Sequence, residues 1–291
     1  MLSISALSAM ASHAREARAA GRRVGLVPTM GALHAGHVAL VGEARRRADL
    51  VVMSVFVNPL QFGPGEDFSR YPRDLARDTA LAGQAGVDVL WAPSTEAMYP
   101  EPPRVTVAPG PAGDRLEGAV RPGHFTGVLT VVAKLFAVVQ PDVAVFGRKD
   151  FQQAVLVTRM VRDLSLPVEV VVAPTVRERD GLALSSRNAY LDAAGRSAAT
   201  ALSRALAHGA AAFRTGERGA AAIAAGAHRV LADGGVSAVD YVVCLGADDL
   251  EPVTSVDERT VLAVAARVGG TRLIDNVALG PGLEGDVRVA G

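Results

Sequence analysis

The decapeptide Pro28-Thr29-Met30-Gly31-Ala32-Leu33-His34-Ala35-Gly36-His37 sets two histidines and two glycines between an apolar run, Val24 to Val27, and an apolar helix-like start, Val38 to Val41. Imidazoles three residues apart share a face after one helical turn. Glycines in such a segment let a ligand approach the main chain closely. A strand-to-helix turn is also where parallel α/β sheets hold phosphates against helix N–H groups and the positive end of the dipole. The expected chemistry is stabilisation of charge on phosphoryl oxygens. One capping histidine beside one packed histidine is the alternative without chemistry. Zinc, with His124 as a third ligand, is another. No cysteine or carboxylate stands nearby at ligand spacing, so no metal-ligand set is expected.

Four further clusters carry groups of the right type. Ser54 to Gly63 is an apolar run that ends at Asn58 and is broken by Pro59. Asn58 and Gln61 then lie at the carboxyl end of a buried strand, where neutral amides suit hydroxyls and carboxylates. Shaping the turn is the competing role for Asn58. Phe146-Gly147-Arg148-Lys149-Asp150-Phe151-Gln152-Gln153 again reads strand, turn, helix. Asp150 suits the first turn. Lys149 is disfavoured at a helix start unless an anion is bound, and Gln153 falls one turn on. Leu184-Ser185-Ser186-Arg187-Asn188 offers hydroxyls and a guanidinium for phosphate oxygens, or is an ordinary polar loop. Arg121 to Gly127 contains His124, read either as a bridge to substrate or as a structural loop histidine. Arg73, after Tyr71-Pro72, reads as a surface cation. His13, His208 and His228 fall on Ala/Arg-rich segments and receive no role.

The elements that must position these groups alternate through the first 175 residues. Strands are expected at Val24–Val27, Leu50–Val57, Val87–Trp91, Val143–Phe146 and Val168–Val172, with helices at Val38–Arg47, Leu75–Ala85, Thr126–Val139 and Phe151–Asp163. Apolar strands separated by helices predict an α/β fold: a Rossmann-like parallel sheet covered on both faces. The Pro/Gly-rich interval 93–122 is long for a plain connection and is expected to carry a small strand, Arg104–Val107. After Pro174 come Ala-rich helices, Ala193–Ala212 and Gly219–Asp233. Short strands follow at Val239–Leu245, Val261–Ala266 and Leu273–Asp275. The expected division is 1–175 for binding nucleotide and substrate, and 176–291 for a smaller C-terminal α+β lid domain. Residues 1–23 have transit-peptide composition, but a strand begins directly at Val24, so an amphipathic helix feeding that strand is expected.

The 291 residues include 30 basic and 30 acidic side chains and no net charge. Nothing in that balance calls for nucleic acid or an anionic membrane as partner. The longest apolar stretch, Val128 to Val139, is broken by Lys134 and too short to span a bilayer. A single cysteine, Cys244, cannot form an internal disulfide. It reads as a buried inert thiol in a reducing, cytoplasmic protein. Lysine stands at only two positions, Lys134 and Lys149, in a chain otherwise reliant on arginine. That singles out Lys149 as a place for a compact ammonium.

His34-Ala35-Gly36-His37 is similar to the His-x-Gly-His signature of the adenylate- and cytidylate-transferring superfamily. Together the clusters, with Pro174–Glu178, Ser185–Leu191 and Thr271–Asn276, closely resemble the pantothenate synthetase (pantoate–β-alanine ligase) family over essentially the whole chain. The resemblance implies a two-step reaction. ATP and pantoate give pantoyl adenylate and pyrophosphate, and the amine of β-alanine then yields pantothenate and AMP. It implies that residues 28–37 line the ATP site, with His34 and His37 on the phosphates. It also implies that Gly147, Arg148, Lys149, Asp150, Val176, Leu184, Ser185, Ser186 and Arg187 hold ATP. Of these, Lys149 and Arg187 would be catalytic with the histidines. Gln61 and Gln153, helped by Asn58 and His124, would hold pantoate. Mg²⁺ would ride on the phosphates, and the chain would form a homodimer. Two positions depart from the family. Arg148 replaces its usual Glu, leaving three outcomes open: a side chain in solvent, tighter ATP binding, or slower pyrophosphate release. Leu184 replaces its usual Met, a mild volume-conserving change. A nucleotidyltransferase acting on another substrate, and a nucleotide sensor without turnover, are the competing functions. The amides at 58, 61 and 153 favour a polyhydroxy carboxylate over the first, and His34, His37, Lys149 and Arg187 together weigh against the second.

Overall fold

The computed structural model describes residues 1–289. Its elements run β1 (Leu2–Ile4), α1 (Leu7–Ala19), β2 (Val24–Thr29), α2 (Ala35–Arg45), β3 (Leu50–Val55), α3 (Leu75–Gln84), β4 (Val89–Trp91), α4 (Thr95–Met98), α5 (Glu117–Val120) and α6 (His124–Val139). They continue with β5 (Val143–Gly147), α7 (Phe151–Asp163), β6 (Glu169–Ala173), β7 (Val176–Arg177), α8 (Ala193–Arg214), α9 (Ala220–Asp233), β8 (Ala238–Leu245), β9 (Val261–Val268), β10 (Thr271–Ala278) and β11 (Val287–Arg288). The chain divides into two compact units, residues 1–147 with 152–173 and residues 148–151 with 174–291.

In the first unit six parallel strands lie in the order β1-β4-β3-β2-β5-β6. The chain leaves β2 toward β3 on one side, whereas β5 pairs with β2 on the other. Ligands in such sheets bind outside the carboxyl ends of strands where the order reverses, here those of β2 and β5. The four inner strands, β2 to β5, are buried on both faces, which is why they read as continuous apolar runs rather than alternating ones. β2 runs on through Pro28 to Thr29 because β5 pairs it only at Gly25 and Leu26. The missing proline N–H therefore costs no ladder bond.

Two expectations fail in this unit. Residues 1–23 are not helix alone: Leu2–Ile4 forms an edge strand on β4, with Leu2 opposite Val89. Three residues are too few to show a period. Arg104–Val107 forms no strand and pairs with none among the described residues. Val105 is 86% exposed, and the main-chain N–H of Val107 is satisfied by Thr130 Oγ1 at 3.0 Å instead.

In the second unit an antiparallel sheet, β10-β9-β8, packs on α8 and α9. Gly269 and Gly270 join β9 to β10, with Gly269 at φ +58° as a tight hairpin turn requires. Asp192 caps α8 by accepting the Gly195 N–H at 2.7 Å. Leu202, Leu206 and Phe213 line the buried face of α8, and Gly209 leaves room for Leu262, which a Cβ would meet at 2.3 Å. The two-residue strands β7 and β11 pair in parallel. Cys244 is buried, and that burial pushes its thiol up to about 11, which leaves it inert at neutral pH.

Candidate active site

The turn after β2 is a built loop. Thr29 Oγ1 donates to Ser54 O at 2.7 Å and accepts from Gly31 N at 3.3 Å. Gly31 (φ +83°) and Ala32 (φ +50°) then turn the chain through two consecutive left-handed residues, which an isolated chain resists at a non-glycine position. The buried carboxylate of Asp78, at the start of α3, holds that turn. It accepts Ala32 N at 2.9 Å and Leu33 N at 2.8 Å, one on each oxygen. A side chain at Gly31 would come within 2.9 Å of that carboxylate. Asp78 lies more than forty residues away in sequence and was not foreseen as a site residue.

His34 caps α2, its Nδ1 accepting Gly36 N at 3.1 Å, while His37 Nδ1 accepts His34 N at 3.3 Å. With both Nδ1 atoms engaged as acceptors, the proton of each neutral ring sits on Nε2. The ring centroids are 4.1 Å apart. Two imidazoles thus stand together at a helix N-terminus, a place suited to an anion. His34 does cap, as the alternative without chemistry held, and the cap itself fixes the tautomer.

Past β3, Asn58 and Gln61 lie beyond the carboxyl end of the strand, as the sequence suggests, but with different duties. Asn58 is buried. Its amide donates to Gln61 Oε1 and Gly127 O, both at 3.1 Å, and its carbonyl accepts Leu60 N at 3.4 Å and the Tyr99 hydroxyl at 3.0 Å. Its hydrogen-bonding capacity is spent within the protein, so Asn58 orients Gln61. Gln61 points Nε2 at Met30 Sδ, 3.1 Å away, which brings the amide against the histidine loop. The Tyr99 hydroxyl is pushed up to about 12 by burial and remains a donor.

His124 begins α6 and bonds the main chain at Gln61. Its Nδ1 lies 2.8 Å from Gln61 O and its Nε2 3.1 Å from Arg121 Nη1. A carbonyl can only accept and a guanidinium can only donate, so the ring is the neutral Nδ1–H form. Burial first, and Arg121 second, push its pKa down to about 4. Both nitrogens are committed, which removes His124 from any zinc set. Arg121 also donates to Gln61 O at 3.2 Å and pairs with Glu66 at 2.5 Å. Burial favours the protonated Glu66 carboxyl, but the Arg121 bond and charge outweigh it and hold Glu66 below its usual range. Gly127 allows the close packing: a Cβ there would lie 2.2 Å from Leu60 O and 2.7 Å from Gln61 N. Gln153 is half-buried on α7. Its neighbour Gln152, quoted in the sequence without a role, turns inward, receiving Glu117 N at 3.1 Å and donating to Ala112 O and Arg115 O, both at 2.9 Å. Arg73 donates to Phe68 O at 2.8 Å and Tyr71 O at 3.1 Å, stapling its own loop.

Gly147 ends β5 in the first unit, and the remaining candidates lie in the second. Arg148 Nη2 bonds Asp286 Oδ1 at 2.7 Å, and Lys149 Nζ lies 3.4 Å from Asp150 Oδ1. Arg148 is therefore not a solvent side chain. Leu184 N bonds Val176 O at 2.9 Å. Ser185 caps the turn 186–190 by accepting Arg187 N at 3.2 Å. Asn188 anchors that turn to Glu178 Oε1 and Ala183 O, both at 3.1 Å. Ser186 and Arg187 are half-buried on it.

A parallel sheet with a paired-histidine turn at its order reversal defines a nucleotide-binding α/β protein of the His-x-Gly-His type. Comparison with known proteins makes this specific. The chain belongs to the pantoate-beta-alanine ligase family, whose model matches residues 3–278. A pantothenate synthetase from Moorella thermoacetica is 51% identical over 273 residues, covering 94% of this chain and 96% of the relative. The crystal structure of pantothenate synthetase from Thermus thermophilus superposes with a TM-score of 0.91 at 48% identity, over 97% of this chain and all of that one. A pantoate-beta-alanine ligase from Francisella tularensis, solved with β,γ-ATP and β-alanine, has a TM-score of 0.77 at 30% identity over 96% of this chain and 98% of its own.

Proposed function

We propose that this chain condenses pantoate with β-alanine to pantothenate through a pantoyl adenylate, converting ATP to AMP and pyrophosphate. The observation that carries this reading is the contact of Gln61 with Met30. It brings an amide suited to a hydroxy carboxylate against the turn 28–37 that carries the two histidines. In the first step a pantoate carboxylate oxygen attacks the α-phosphorus and the bond to pyrophosphate breaks. His34 and His37 stabilise the charge that builds on the leaving oxygens. Charge stabilisation describes the role of His37 better than proton donation, since its Nδ1 is engaged as an acceptor of the His34 N–H at the start of α2. Lys149, Ser185 and Arg187 supply cationic and hydroxyl contacts to phosphates, and Asp150 accepts from ribose hydroxyls. Gln61 and Gln153 hold pantoate, with Asn58 and His124 acting through Gln61. In the second step the amine attacks the acyl carbon, AMP leaves with the bonding pair, and the amine loses a proton.

Mg²⁺ arrives on the ATP phosphates. Among the described residues no group of three or more His, Cys, Asp or Glu is arranged to hold a metal, and Mg²⁺ at phosphate sites usually keeps several waters and is held through substrate phosphates with one or two carboxylates rather than by an all-protein cage. The proposal places the enzyme in the cytoplasm, where ATP is available, and as a homodimer. Equilibrium sedimentation showing only a 30.0 kDa species would contradict the dimer. The reaction is tested by measuring pyrophosphate and AMP from ATP, Mg²⁺ and pantoate, with and without β-alanine. Pyrophosphate with pantoate alone, and AMP with pantothenate after β-alanine, is the expected result. ATP binding without pyrophosphate release contradicts it.

A further inference from the structure

The second unit buries a charge cluster that the reaction above does not use. Arg177 is fully buried, and all five of its N–H groups are engaged. Nη1 and Nη2 grip Asp275 at 2.6 and 2.9 Å, Nε meets Asp286 Oδ2 at 2.6 Å, and Gly181 O and Asn276 O accept the remaining two. The other oxygen of Asp286 accepts Arg148 Nη2 at 2.7 Å. Two guanidinium groups thus balance two carboxylates. The neighbouring residue on β10, Asn276, donates its single amide group to two consecutive carbonyls, Arg148 O at 2.9 Å and Lys149 O at 3.0 Å. The turn 148–150 is therefore held by side chain through Asp286 and by backbone through Asn276. Both anchors come from the last quarter of the chain.

We propose that Asp286 and Asn276, braced by Arg177, are positioning residues for Lys149, and that Arg148 serves as their handle on the turn rather than as a phosphate ligand. This rests on the reading that Lys149 contacts ATP phosphates. The two roles for Arg148 predict opposite signs. If Arg148 were a phosphate ligand restrained by Asp286, removing the carboxylate would free a cation and tighten ATP binding. If Arg148 is a handle, removing the carboxylate lets the turn drift and weakens it. Arg148→Gln weakens binding on either account, through lost contact or lost positioning, so Asp286 is the informative site.

The test is a double-mutant cycle on the full chain, reading the Kd of a non-hydrolysable ATP analogue with Mg²⁺ by calorimetry. Asp286→Ala is expected to raise Kd about tenfold in the wild-type background and less than twofold in a Lys149→Ala background. Asp286→Asn keeps one acceptor oxygen and is expected to give an intermediate loss; it carries the test if Asp286→Ala does not fold. A general loss of structure would weaken binding equally in both backgrounds. Tighter or unchanged binding in the Asp286 variants, or an equal loss with and without Lys149, overturns the inference. Unchanged binding in Lys149→Ala alone is a separate outcome. It refutes the phosphate role of Lys149 and, with it, the basis of the inference.

Discussion

Replacing Gly127 with alanine adds one methyl group, and the structure says where it must go. The new Cβ would sit 2.2 Å from the carbonyl oxygen of Leu60, 2.4 Å from its carbon and 2.7 Å from Gln61 N. These are main-chain atoms, so no side-chain rotation relieves the overlap. Restoring ordinary contact at about 3.4 Å requires the turn 59–61 and α6 to part by roughly 1 Å. The Asn58 amide bond to Gly127 O, and the bonds of His124 and Arg121 to Gln61 O, all cross this gap. Overpacking of this kind costs about 1–3 kcal/mol of stability. A displacement near 1 Å at a substrate-positioning group costs about 10²-fold in rate. Initial rates of pyrophosphate release at varied pantoate are therefore expected to show kcat/KM for pantoate about a hundredfold lower, with the Kd for an ATP analogue little changed. Gly123→Ala is the control: it strains a left-handed residue at φ +81° but has open space around it. If Gly127→Ala kept kcat/KM for pantoate within twofold of wild type, the assignment of Gln61 as a pantoate-positioning group would be wrong.

Three further outcomes follow from the same geometry. His37→Ala removes a charge-stabilising donor and is expected to slow the pyrophosphate-releasing step by roughly 3 kcal/mol; rapid-quench measurement of that half-reaction at near-normal rate would contradict the role. Asp78→Asn turns an amide N–H toward a main-chain N–H, and is expected to cost about 1–3 kcal/mol in urea unfolding and to weaken binding of the ATP analogue. His124 is neutral in the folded protein, with a pKa of about 4, while an unfolded chain takes up that proton near its ordinary value of 6.5. Between those values the unfolded state binds more protons, so stability rises with pH, is complete above 6.5, and loses up to about 3 kcal/mol by pH 4. Urea unfolding from pH 4 to 7 should show that slope reduced in His124→Gln; an unchanged slope would contradict the neutral assignment.

Helix α7 begins and ends where its apolar periodicity said, at Phe151 and Asp163, because a 3.6-residue stripe bounded by Asp150 and a polar end is a local signal. The paired histidines are legible from their three-residue spacing, and the placing of Asn58 and Gln61 from the apolar run that Pro59 breaks. Contacts set by the packing of remote segments left no such trace. Asp78 bonds residues 32 and 33 from another helix, and nothing near it in sequence marks it as other than a surface acid. Gln152 and Gln153 differ only in helical phase, and only the packed loop 111–117 shows which turns inward. One packing contact does leave a local mark. Gly127 stands inside a helix, where glycine costs about 1 kcal/mol against alanine, and such a residue asks for a packing reason. The edge strand at residues 2–4 and the unpaired segment 104–107 show the reverse case, in which a neighbouring strand, or its lack, decides the outcome.

The central claim is that the pantoate carboxylate attacks the α-phosphorus of ATP. Single-turnover reaction of pantoate labelled with ¹⁸O in its carboxylate, in the presence of β-alanine and Mg²⁺, tests it directly by mass spectrometry of the products. One labelled oxygen in AMP and one in the amide carbonyl of pantothenate is the predicted result. Unlabelled AMP, with label appearing in inorganic phosphate instead, would mean attack at the γ-phosphorus and would contradict the account.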